Sequence, residues 1–393
     1  MNPMKSRTNV RVLRIIARMN LGGPAIQITG LMQNLPKSEF QQVLIYGNCG
    51  PDEVDYLSEN SIELPSIHLE GFGRRISVLS DIKVFLFIRK QIKSFNPDII
   101  HTHTAKAGFL GRLAAMSLFH HGIRVHTYHG HLLHGYFGPL KTKFVIWAER
   151  FLANHSDSLI AVGAQVRDEL IAQKIGVLEK YKVINPGLEI GNLPGRKSSL
   201  ENFKLSDDKF TVSWIGRAVI VKAPQRVIEV AKECQIRGLK IQFVLVGDGP
   251  LLDELKDLAK RLDLPIVFLG WQSQIEPILS FSDLVILTSE NEGTPVALIQ
   301  AQMAGIPVLT TDVGSASEVL INEESGFCAT YSIKDFSDKI ESLARNPQLR
   351  KAFSDAGKKN AQQKFSLSRL VADHELLYHN LINQSKFSSK VQA

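Results

Sequence analysis

The sequence predicts an α/β protein made of two facing Rossmann-like domains, each a doubly wound parallel sheet, with a ligand cleft between them. Three observations carry this. The chain is 393 residues long, enough for two ordinary domains and too large for one simple core. Short β-branched apolar runs alternate with longer helical patterns throughout, as in parallel strands joined by crossover helices. Between the halves, residues 185–208 are rich in Gly, Pro, Ser and charge and keep no sustained period, as a linker would.

Taken in order, strands are expected over 10–16, 42–46, 98–101, 124–128 and 158–162, with helices over 25–34, 82–94 and 106–118. The second half repeats the pattern. Strands are expected over 210–215, 242–246, 266–269, 284–287 and 307–310, with helices over 225–237 and 251–262. The domain bounds are then 1–190, a linker 191–208, a second domain 209–364, and a C-terminal helix and tail over 365–393 that packs back toward the first domain. Ligands of such sheets lie beyond the C-terminal ends of the strands, so chemistry is sought there.

Composition narrows the class. A chain with 44% hydrophobic and 22% charged residues is a folded globular protein. Cys49, Cys234 and Cys328 lie far apart with no C-x-x-C pair, which argues against a disulfide framework or a thiolate zinc site and suits a reducing compartment. The N-terminus is polar and is followed by Arg11, Arg14 and Arg18, so no signal core is expected. The greasiest run, 84–88, lies between Lys83 and Arg89 and is too short to span a bilayer. A cytoplasmic location follows as the expectation. The net charge of +7 is uneven: residues 1–190 hold 22 Lys+Arg against 15 Asp+Glu, and the rest holds 24 of each. An anionic membrane surface, such as the inner face of the cytoplasmic membrane, would suit that bias, and so would a merely solvated surface. Nucleic acid is disfavoured, because no aromatic-plus-basic pattern accompanies the charge.

Four constellations fall at strand ends. The run from Leu287 to Thr310 ends a strand, presents Glu290 and Glu292, and opens a helix through Gly293, Thr294, Pro295 and Val296. Free N–H groups and the dipole at that helix start suit a phosphate or a polar sugar. On an unbroken helix Gln300 would share a face with Glu292, about 12 Å away. An acidic first turn that merely caps the helix would also explain both acids. The second constellation is Gly216-Arg217 followed by Lys222, two cations able to neutralise a diphosphate unless they are simply solvated. The third is Gly22-Gly23 in the first strand–helix turn, where backbone can approach a ligand; Gly247-Asp248-Gly249 offers a weaker version.

The fourth is a concentration of histidines. Eight of the twelve, His101, His103, His120, His121, His126, His129, His131 and His134, fall within one short stretch. Imidazole ligates metals, but no carboxylate or thiolate stands at ligand spacing and the chain has no Asp-x-Asp. No metal or other cofactor is therefore expected. His129, at a strand end, is the one best placed to reach a cleft, while His120 and His121 read as surface residues.

Together these elements resemble glycosyltransferase family 4, the retaining GT-B enzymes that build bacterial polysaccharides and glycolipids. The resemblance spans nearly the whole chain and rests on five elements in order. They are the run from His101 to Gly108, Thr127-Tyr128-His129-Gly130-His131, Gly216-Arg217 with Lys222, Val246 to Pro250, and Glu290 to Ile299. It implies a metal-independent transfer of sugar from a nucleotide-sugar, UDP-sugar by family habit, to a glycan or lipid-linked acceptor. Arg217 and Lys222, with Gly22 and Gly23 opposite, would hold the donor diphosphate. Glu292 and His129 would contact the transferred sugar. Gly216, Gly247 and the backbone from Gly293 to Val296 would line the donor pocket. One departure stands out: the family's second acid is Gln300 here, which keeps an acceptor but loses a charge-assisted bond to the ribose. A nucleotide-sugar-binding protein with weakened transfer, a UDP-sugar epimerase and a nicotinamide-dependent oxidoreductase are the alternatives. The last lacks a G-x-G-x-x-G after the first strand.

Overall fold

The computed structural model describes residues 9–51, 53–73, 75–130 and 139–391, so His131 and His134 lie outside the described residues. Two compact units divide the chain: the residues up to Gly187 together with those from Leu367 onward, and Leu188–Ser366. The first unit contains β1 (Val10–Ile16), α1 (Gly23–Asn34), β2 (Phe40–Gly47), α2 (Tyr56–Glu59), β3 (Ser66–Leu69), α3 (Val78–Phe95), β4 (Ile99–His103), α4 (Ala105–Ser117), β5 (Ile123–Tyr128), α5 (Pro139–Asn154), β6 (Ser158–Ala161), α6 (Ala164–Ala172) and β7 (Tyr181–Val183). The second runs through α7 (Arg196–Asn202), β8 (Phe210–Ile215), α8 (Gln225–Ile236), β9 (Ile241–Val246), α9 (Leu252–Arg261), β10 (Ile266–Gly270), α10 (Glu276–Phe281), β11 (Leu284–Leu287), α11 (Val296–Met303), β12 (Val308–Thr311), β13 (Gly326–Ala329), α12 (Ile333–Arg345) and α13 (Pro347–Phe365). The last helix, α14 (Leu367–Val391), belongs to the first unit.

Each unit is built on one all-parallel sheet. The strand orders are β3-β2-β1-β4-β5-β6-β7 and β10-β9-β8-β11-β12-β13. Helices cover both faces of such sheets, so the central strands read as unbroken apolar runs: every residue of β4, β9 and β11 is buried. The chain reverses direction across the sheet between β1 and β4, and again between β8 and β11. Loops leaving those paired strands diverge and open a crevice at their C-terminal ends. In the first unit α3 packs on α4 and α4 on α5, while α1 packs on α14.

Three strands escape the sequence pattern: β3, β7 and β13. All lie at sheet edges, run only three or four residues, and are partly exposed, so they carry no long apolar run. The expected linker over 191–208 also differs from expectation. It contains α7, whose Leu200 is buried and whose Arg196 binds Phe281 O at 2.7 Å and Asp283 at 3.0 Å. Packing against α10 makes this segment the opening of the second unit. Its polar composition reflects a helix with one covered face.

Candidate active site

In the second unit, the loops after β8 and β11 meet across the reversal point. Lys222 Nζ donates to Glu292 Oε1 at 2.5 Å, and Ser289 Oγ donates to the same oxygen at 2.6 Å. Glu292 is 7% exposed. A carboxylate so covered needs such partners, since burying it unpaired is costly. Two further bonds lock the loops together: Glu290 N donates to Val221 O at 2.9 Å, and the Thr288 hydroxyl Oγ1 donates to Ala223 O at 3.1 Å. Thr311 Oγ1, at the end of β12, donates to Ser289 O at 2.7 Å. Gly314 follows in a left-handed conformation (φ +51°), where an added Cβ would lie 1.8 Å from Glu292 O. Only glycine allows that approach.

The neighbouring strand end is built the same way. Gly247 has φ +131°, and a Cβ there would lie 1.8 Å from Gly216 O. Ala218 N donates to Asp248 O at 2.9 Å. Gly216 and Gly247 are thus brought together, with half-buried Arg217 in the loop they support.

The two acids of this segment separate, and one expectation about it needs correction. Glu290 and Glu292 do not act as a pair: the Glu290 side chain is 51% exposed and binds Arg226 at 3.1 Å, while Arg226 also donates to Thr288 O and stacks on Tyr331. Nor does one helix carry both Glu292 and Gln300. The helix begins at Val296 with Pro295 as its N-cap residue, so Glu292 belongs to the preceding loop. Only the four steps from Val296 to Gln300 climb at the helical rise, about 6 Å. Gly293 and Thr294 complete that loop, and no side chain caps the helix start.

In the first unit, the N-cap of α1 is Gly22, with Gly23 and Pro24 opening the helix, no side-chain cap and no acid in the first turn. Its first N–H groups therefore lack intrahelical partners. Beside it, β4 ends in His101 and His103, two residues apart on one face of the strand and both buried. Their rings stack at 4.2 Å. His103 Nδ1 lies 3.0 Å from His129 Nε2 at the end of β5. His101 Nε2 lies 2.7 Å from Thr127 Oγ1, and its Nδ1 faces both Tyr378 OH at 2.6 Å and Arg14 Nη1 at 3.1 Å. His374, from α14, stacks on His101 at 5.9 Å.

Burial holds these imidazoles neutral. His101 and His103 lie well below the usual histidine range, through desolvation first and then repulsion, from Arg14 on His101 and from His101 on His103. Desolvation brings His129 and His374 down to about 3. His126 lies well below its usual value too, but it bonds Thr102 at 2.8 Å and stands edge-on to Tyr128. There a buried Arg112–Glu149 pair, joined by the Tyr128 hydroxyl, ties α4 to α5. His120 is half-buried and accepts a bond from Gly122 N, and His121 is exposed.

Sequence reasoning missed Ser289 and Gly314, whose only signal is their place just after strands, and Arg14, His374 and Tyr378, which no spacing links to the histidines. Among the described residues one group could hold a metal: Glu39, Glu375 and His379, whose ligand atoms lie within 4.8 Å of one another. Glu39 immediately precedes β2, at the edge of the parallel sheet opposite the strand ends that carry His103 and His129.

Residues 21–191 match the Glycosyltransferase Family 4 model, and residues 196–360 match that of the Glycosyl transferases group 1. Over 330 residues the chain is 31% identical to the UDP-Gal:alpha-D-GlcNAc-diphosphoundecaprenol alpha-1,3-galactosyltransferase of Escherichia coli, covering 79% of this chain and 81% of that enzyme. It is 24% identical over 329 residues to the capsular polysaccharide biosynthesis glycosyltransferase CapM of Staphylococcus aureus, covering 81% and 86%. Anabaena Alr3699/HepE in complex with UDP and glucose shares the fold with a TM-score of 0.78, at 19% identity over 94% of this chain and all of that one. These matches set aside the oxidoreductase alternative. The chain belongs to glycosyltransferase family 4: it is a GT-B glycosyltransferase of the kind that builds bacterial polysaccharides and glycolipids.

Proposed function

We propose that the enzyme transfers a sugar from a UDP-sugar to a lipid-linked glycan acceptor, with retention, without a metal ion, and at the inner face of the cytoplasmic membrane. The observation that carries this reading is the Lys222–Glu292 contact across the reversal point of the second sheet. It sets a cation and a buried carboxylate side by side at the place where such sheets bind ligands. Lys222 and Arg217 would neutralise the departing diphosphate, the service a divalent ion performs elsewhere. Glu292, held through Oε1, would offer Oε2 to hydroxyls of the sugar. Backbone at Gly216, Gly247 and Gly293–Val296 would line the donor site, with Gln300 toward the ribose. Gly22 and Gly23 would meet the diphosphate, and His129 the sugar. Retention suits this chemistry, because inversion calls for a general base near neutrality. His129, at about 3, is too weak a base, and Glu292 is engaged by Lys222.

Among the described residues no helix is long and apolar enough to cross a membrane. Support for a membrane surface comes from α3 instead. Val78, Leu79, Ile82 and Leu86 form an exposed apolar stripe at helical spacing, and exposed Lys83 and Lys90 flank it. On α5, Phe144, Trp147 and Phe151 are exposed in the same manner. Apolar and basic faces together suit an anionic bilayer.

The test is turnover of a UDP-sugar panel with an undecaprenyl-diphosphate-linked acceptor in anionic and in zwitterionic vesicles, with and without EDTA, the anomer of the product being read by NMR. The expected result is an α-linked product from an α-linked donor, unchanged by EDTA and faster on anionic vesicles. An inverted product or loss of activity in EDTA would overturn the mechanism.

A further inference from the structure

The histidine column of the first unit has a direction. Arg14 can only donate a hydrogen bond, and its Nη1 lies 3.1 Å from His101 Nδ1. That nitrogen must therefore carry a lone pair, which also accepts from the Tyr378 hydroxyl at 2.6 Å. The proton of neutral His101 is forced onto Nε2, from which it is donated to Thr127 Oγ1 at 2.7 Å. One arginine thus sets the first tautomer.

His103 is decided by an orphaned atom. Its Nε2 is buried and has no hydrogen-bond partner among the described residues. A proton left there would be a buried donor with nothing to bind, whereas a bare lone pair on a stacked ring loses less. The proton is therefore on Nδ1, the atom 3.0 Å from His129 Nε2. Two neutral imidazoles in contact need one donor and one acceptor, so His129 accepts at Nε2 and keeps its own proton on Nδ1.

We propose that His103 is a positioning residue that fixes His129 as a neutral imidazole presenting its Nδ1–H, a hydrogen-bond donor, to the bound sugar. This rests on the reading above that His129 meets the donor sugar, and it adds what His129 does there. A ring already protonated at its free nitrogen and engaged at the other cannot accept a proton from the acceptor hydroxyl. It can orient an oxygen of the sugar and follow charge as the diphosphate departs. The arrangement also gives α14 a part in the site, since Tyr378 bonds the ring on which His103 stacks.

The experiment has a spectroscopic and a kinetic arm, both on the full chain. ¹⁵N-histidine NMR, with His129→Asn used to assign the signal, should place the proton of His129 on Nδ1 at pH 7. A proton on Nε2 overturns the proposal. In turnover, His103→Asn keeps a donor near the position of Nδ1 and should retain kcat within a few-fold. His103→Leu, of similar bulk but with no donor, should lose kcat by about 100-fold with little change in KM, at a melting temperature matching that of His103→Asn. Equal kcat for the Asn and Leu variants overturns the positioning role. The reading of His129 itself fails separately, if His129→Leu, which offers no donor, turns over like wild type while the NMR tautomer stands as expected.

Discussion

At Glu292 one carboxylate oxygen accepts from both an ammonium and a hydroxyl, and the ammonium comes from 70 residues earlier in the chain. Both Lys222 and Glu292 were legible in the sequence as strand-end residues. Their contact was not, because no local periodicity relates loops on different strands. The histidines behave alike: His101 and His103 show as a strand pair, but the tyrosine that holds His101 lies 277 residues away. Gln300 is the residue at which the sequence departs from its family, and the structure sets it half-buried one turn into α11. Restoring the acid should strengthen nucleotide binding. A hydrogen bond to a charged group contributes about 1.5–3 kcal/mol against about 0.5–1.5 for a neutral one. The difference of about 1 kcal/mol predicts a Kd for UDP roughly fivefold tighter in Gln300→Glu by calorimetry. An unchanged Kd would remove the Gln300 side chain from nucleotide contact.

Among secondary elements, legibility followed burial. Ten strands were expected and all ten exist: nine are central parallel strands, apolar on both faces, and the edge strand β10 still shows the apolar run Ile266-Val267-Phe268-Leu269. The three overlooked are short edge strands without such a run. Turns at strand ends were the hard part, since a glycine needed for close approach looks in sequence like any other. Gly314 is such a case, and its role can be separated from ordinary backbone strain. Gly314→Ala places a methyl against Glu292 O and must push the 289–295 loop aside. A displacement near 1 Å at a reacting group costs on the order of 100-fold in rate. Gly238, just beyond α8, has a comparable φ of +68° but nothing within 4 Å of an added Cβ. Gly238→Ala should therefore lose a similar 1–2 kcal/mol or so of stability to left-handed strain and keep full kcat/KM. Equal kinetic losses in the two variants would mean that strain, and not the Glu292 contact, explains Gly314.

For the molecule as a whole, the buried histidines make stability depend on pH with a definite sign. His101, His103, His126, His129 and His374 all have folded pKa values below the unfolded value near 6.5, because burial disfavours their charged forms. Between the folded and unfolded values the unfolded chain binds more protons, so stability rises with pH through that window. The contribution is complete above about pH 6.5 and is lost progressively as pH falls toward about 3. At pH 5 each such imidazole withholds at most about 2 kcal/mol, from 1.5 units at 1.36 kcal/mol per unit. Several together are comparable with the net stability of a domain. Thermal unfolding followed by circular dichroism should show a midpoint nearly constant from pH 8 to 7 and falling steeply from 6.5 to 5. Replacing His374 with Gln should flatten that fall, because one fewer proton is taken up on unfolding. A midpoint indifferent to pH between 7 and 5 would mean that these rings are charged in the folded protein. The donor–acceptor contact between His103 and His129 would then lose the neutral acceptor on which it depends.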